Sequence, residues 1–88
     1  MASIRNLKQD INYVLGDIIE AALIHQAAHP DQDGKAADEI VDDSIKTFDD
    51  LMARVNNRKV DNRKAHLTQV RKDLETEGKK LIERVNGL

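Results

Sequence analysis

Apolar residues recur every three or four positions along three stretches of near-equal length, and turn-forming residues collect in the two gaps between them. That spacing matches the 3.6-residue period of the α-helix, and no stretch shows the strict alternation of a half-buried strand. In the first stretch Ile4, Leu7, Ile11, Val14, Leu15, Ile18, Ile19 and Ala22 share one face. In the second, Ala37, Ile40, Val41, Ile45, Phe48, Leu51, Met52 and Val55 do so, with Asp38, Glu39, Asp42, Asp43, Asp49 and Asp50 on the other side. In the third, Leu67, Val70, Leu74, Leu81, Ile82, Val85 and Leu88 line up, with Gly78 among them.

The single proline, Pro30, ends the first stretch because it pushes His29 out of the α region. Ser3 is placed to cap the first helix, Asp31 or Asp33 the second, and Asp61 or Asn62 the third, each by accepting a free first-turn N–H. Helices are therefore predicted over 4–28, 35–56 and 63–86, each about 35 Å long at 1.5 Å per residue. Connections this short make successive helices antiparallel, so the expected fold is all-α, an up-down-up three-helix bundle formed as one domain of 88 residues.

Composition narrows the function classes. Hydrophobic residues make 40% and charged ones 34%, which suits a folded chain, and with Tyr13 and Phe48 the only aromatics the core must be aliphatic. There is no cysteine, hence no disulfide or thiolate site. The opening residues carry no apolar signal region and no run is long enough to span a membrane, so a cytoplasmic location is expected. Charge is unevenly spread: residues 1–53 hold 4 Lys/Arg against 11 Asp/Glu, and residues 54–88 hold 10 against 5.

The stretch "HPDQDG" at 29–34 looks like part of a calcium loop. With Gly34 at the sixth position of an EF-hand, Asp33 and Asp31 fall where ligands belong. The first position is then His29 and the twelfth is Ile40, so the first ligand and the bidentate clamp are both missing. A helix stop, a turn and a cap explain the same letters, and the stretch reads as a connector.

His25 and His29 have the i, i+4 spacing that lets two imidazoles share a metal, with Asp33, Asp38 or Asp42 as a possible third ligand. Their plain role is to donate to free carbonyls at the end of the first helix, and no metal or cofactor is expected. No nucleophile stands beside a base, and the four glycines are scattered, so no phosphate loop exists. A non-enzymatic chain is expected. Gly78, in the core-facing arc, is expected to admit Ile18, Ile19 or Leu23 of the first helix, or else to act as a hinge.

Two surfaces are candidates for binding. In an up-down-up bundle Arg54, Arg58, Lys59, Arg63 and Lys64 gather with Arg5 and Lys8 at one tip, opposed by Asp10 and Asp61. Such a tip suits an acidic protein partner or, as the alternative, nucleic acid. Two aromatics give little to stack on bases, and a pI near 5.9 is not that of a nucleic-acid binder. The outer acids of the second helix have Arg71 or Lys72 as candidate pairs. The other surface joins Leu23, Ile24 and Ala27, off the main arc of the first helix, with Tyr13 near its back. These residues serve either a partner or self-association, or else His25, Leu23 and Ile24 cap the bundle under the 29–34 turn.

The segment "IRNLKQDINYVLGDIIEA", followed by "ADEIVDDSI" and a later "QVRKDLE", resembles small uncharacterised helical proteins of Bacteroides-type bacteria. The resemblance implies a helical fold and a bacterial cytoplasmic origin, and no activity or functional residue. The sequence as a whole leads to a protein–protein interaction module, with nucleic-acid association second and a metal-binding bundle third.

Overall fold

A computed structural model describes residues 4–88. Three helices, α1 (Ile4–Ala28), α2 (Lys35–Asn56) and α3 (Arg63–Asn86), pack pairwise in up-down-up order, and no strand occurs among the described residues. The bundle measures 51 × 20 × 17 Å. The expectation for the first cap, Ser3, lies outside the described residues.

The core is a single aliphatic seam. Leu7, Ile11, Leu15, Ile18 and Ala22 of α1, Ala37, Ile40, Leu51 and Val55 of α2, and Val70, Leu74 and Leu81 of α3 are all buried. The buried positions of each helix are three, four or seven residues apart once Ser44 and Gly78 are included, so each helix presents one narrow stripe inward. One polar residue shares this core. Ser44 is fully buried, and its Oγ donates to the Ile40 carbonyl oxygen at 2.7 Å, which satisfies the hydroxyl without help from another helix. Two residues of the predicted arcs depart from it: Ile45 and Ile82 lie at the flanks of their helices, each 46% exposed. A helix wheel gives an angle; the spacing of the neighbouring helices decides how much of that angle is covered.

The turns follow local chemistry. Gly34 ends the first connection with φ +64°, a left-handed conformation that favours glycine. It occupies the cap position itself, and Asp33 from one residue earlier accepts the Lys35 N–H at 2.7 Å. Gln26 of α1 fastens this turn, its Nε2 donating to the Gly34 carbonyl at 3.2 Å and to Asp38 Oδ1 at 2.8 Å. Asn62 caps α3 by accepting from the Ala65 N–H at 3.0 Å, and His66 Nε2 donates to the Arg54 carbonyl at 2.6 Å, tying α3 to the end of α2.

Gly78 is buried, but its neighbour corrects the expectation. A Cβ there would meet Val14 Cγ1 at 3.1 Å, and none of Ile18, Ile19 or Leu23. Because α3 starts lower along the bundle than α1, Arg71 lies level with Asp10 and Gly78 with Val14.

Candidate interaction surfaces

The bundle has two unlike sides. On the side shared by α2 and α3, charged groups bind one another. Arg54 meets Asp73 at 2.6 Å and Asp50 at 3.7 Å, Gln69 Nε2 donates to the other oxygen of Asp73 at 2.9 Å, and Arg84 meets Asp43 at 2.8 Å. The Arg54 guanidinium, and then the Gln69 amide, hold the Asp73 carboxyl below its ordinary pKa of 3.8, against a smaller opposing effect of desolvation.

The side centred on α1 carries the exposed large apolar side chains, with the exposed acids Asp17 and Glu20 set among them. Five large hydrophobic side chains are substantially exposed among the described residues: Tyr13, Leu23, Ile24, Ile45 and Ile82. The first three are on α1, with Ile24 60% and Tyr13 62% exposed. Ile45 faces α1 across a groove of about 210 Å³ lined by Asn12, Leu15, Gly16, Ile19 and Phe48. Ile82 faces α1 across a wider groove of about 570 Å³, with Tyr13, Val14, Leu74 and Gly78. The Asp10–Arg71 pair, at 2.9 Å, forms part of that groove's rim. Single exposed apolar residues are ordinary; five confined to one helix and its two flanks make a face. Ile45 and Ile82 belong to this face although the sequence placed them in the core. Leu23 and Ile24 are too exposed to cap the bundle, whereas His25 is half-buried beneath the 29–34 turn. Ala27, also exposed, continues the face toward the end of α1.

The basic tip is smaller than the sequence suggested. Arg54 is spent on Asp73 and Asp50 and lies along the α2–α3 side. Arg63 donates to the Asn57 carbonyl at 3.4 Å. Arg5, Lys8, Arg58, Lys59 and Lys64 are in no ion pair among the described residues. Asp10 pairs with Arg71 and so does not oppose the tip, and Arg71 serves α1 where the sequence offered it to α2. Phe48 is half-buried in the α1–α2 grooves, one of which Arg5 and Lys8 also line, and Tyr13 lies on the α1–α3 side, so neither aromatic is beside Arg58, Lys59 and Lys64.

His25 and His29 stack with ring centroids 4.1 Å apart and planes inclined by 21°. His29 Nδ1 donates to the His25 carbonyl at 2.9 Å, the helix-end role read from the sequence. Asp33 and Asp38 are engaged with Lys35 N–H and Gln26, and no group of three or more potential metal ligands forms among the described residues. No described helix is long and apolar enough to cross a membrane.

No protein-family model matches the chain, and no curated protein or solved structure matches it either.

Proposed function

We propose that the chain is a non-catalytic protein-interaction module whose contact surface is the α1 face. The observation that carries this reading is the segregation of the surface: every substantially exposed large apolar side chain of the described residues lies on α1 or faces it, while the α2–α3 side closes its charges upon one another. Burying the exposed three-fifths of Ile24 against a partner contributes roughly 1–2 kcal/mol, which is the scale of an interface anchor. The grooves beside α1 are shallow and open, which suits a helix laid along the face better than a small substrate.

A photoreactive residue placed at Tyr13, Ile24 or Thr76 in cells expressing the chain tests this. Adducts are expected from positions 13 and 24 and not from Thr76, which is exposed on α3. Adducts from Thr76 alone would place the contact elsewhere.

One observation supports a second reading. Arg58, Lys59 and Lys64 are exposed and unpaired at the α2–α3 turn, which suits an acidic protein or, less well without a stacking aromatic, nucleic acid. Binding of that kind falls steeply with salt, and Arg58→Glu together with Lys59→Glu abolishes it.

A further inference from the structure

We infer that the α1 face pairs with a second copy of this chain, antiparallel, about a two-fold axis near the middle of α1. The inference rests on the reading of the α1 face as an interaction surface and supplies its occupant.

The charge layout chooses the partner. The bundle is 51 Å long and only 20 × 17 Å across, and its two ends carry opposite charge. Unpaired Arg5, Lys8, Arg58, Lys59 and Lys64 mark one end, with Asp61 the acid among them. At the other end Asp31, Asp33, Asp38, Glu39 and Asp42 are exposed with Lys35, and the nearby Arg84 is held by Asp43. A parallel pair would set like ends together. An antiparallel pair matches basic end to acidic end twice by one symmetry operation, and these end contacts must outweigh the repulsion of exposed Asp17 and Glu20, which the two copies bring together near the axis. Gln26 bonds to Asp38, so Asp38 is level with the last turns of α1. A two-fold axis at mid-helix then brings Arg5 and Lys8 of one copy level with Asp38 of the other.

Gly16 agrees with this placement. It sits at the centre of α1 on the outward side, and a Cβ there would meet nothing within 4 Å, so packing within one copy does not call for glycine. Its absent side chain allows a second helix to approach closely at the axis. The size fits as well. With α1 about 36 Å long at 1.5 Å per residue, and the bundle 20 Å wide, the face spans roughly 700 Å², near the ~800 Å² per partner of a standard interface.

Sedimentation equilibrium of the whole chain, across a wide concentration range and at low and high salt, tests the pairing. The expected result is a reversible dimer whose Kd rises about tenfold or more with salt. Ile24→Glu is expected to abolish it, and Thr76→Glu to leave it unchanged; circular dichroism confirms that both variants fold. Because the chain has no cysteine, Ala27→Cys carries a single spin label. The two labels of an antiparallel dimer lie about 35 Å apart, whereas those of a parallel one lie about 10 Å apart. A short label distance, a dimer that ignores Ile24→Glu, or a dimer indifferent to salt overturns the inference. So does a monomer at every concentration. In that last case adducts of another protein at positions 13 and 24 would keep the interaction reading and fail only the self-pairing.

Discussion

Replacing Gly16 with alanine should stabilise a single copy while weakening any contact made through α1. Gly16 stands at the middle of the 25-residue α1, where no end effect reduces its cost. Glycine in a helix interior is about 0.8–1.0 kcal/mol less favourable than alanine, because it loses more backbone freedom on folding. An added Cβ meets no atom within 4 Å, so no steric term opposes the gain. For a domain of this size each kcal/mol moves Tm by roughly 4–8 °C, so the variant should melt about 3–8 °C higher. Gly78 provides the control. The propensity gain is the same there, but the new Cβ lies 3.1 Å from Val14 Cγ1 in the core, and Val14 must shift by a few tenths of an ångström. Gly78→Ala should therefore gain much less than Gly16→Ala, or lose stability. Thermal melts at low micromolar concentration, with urea midpoints at unchanged slope, measure both variants. A Gly16→Ala variant no more stable than the parent, or two variants equally stabilised, would refute the reasoning. The same Gly16→Ala substitution should raise the Kd of the pairing inferred above, so stability and association should move in opposite directions.

Substitutions at three further positions test the fold. Ile11→Ala, at a fully buried position, should cost about 2–5 kcal/mol in urea unfolding, much of the stability of a domain this small. Asn62→Ala removes the acceptor for the Ala65 N–H and should cost about 1 kcal/mol, while Asn62→Asp keeps the cap and should cost little. Asp73 has a depressed folded-state pKa, so its ion pair with Arg54 stabilises the fold above the unfolded value of 3.8 and is lost as pH falls through the lower folded value. Asp73→Asn should thus be less stable than the parent at neutral pH. In acid-unfolding curves that difference should hold down to about pH 4.5 and shrink below the ordinary carboxylate range.

The helices were legible because local signals agree with tertiary ones: Pro30 stops α1, Asn62 caps α3, and the three-to-four spacing marks each inward stripe. The candidate site was legible in part. Tyr13, Leu23, Ile24 and Ala27 stood off the apolar arc and proved exposed, whereas Ile45 and Ile82 stood on it and proved half-exposed. Each helix of a three-helix bundle has two neighbours, and how far its flanks are covered depends on their approach, which periodicity does not contain. The same limit hid the Arg54–Asp73 and Asp10–Arg71 pairs and set Gly78 against Val14, since pairing across helices depends on register. Ser44 was findable: it lies on the α2 stripe, and a serine four residues after a carbonyl can satisfy its own hydroxyl.

The most direct test of the α1 face is a set of amide proton–nitrogen spectra of the whole chain, recorded from dilute to concentrated solution. Shifts or broadening should appear at exposed positions of α1 and beside Ile45 and Ile82, and leave the α2–α3 side around Arg54 and Asp73 unmoved. Changes confined to that charged side, or to the turn at Arg58 and Lys59, would contradict the assignment of α1 as the contact surface.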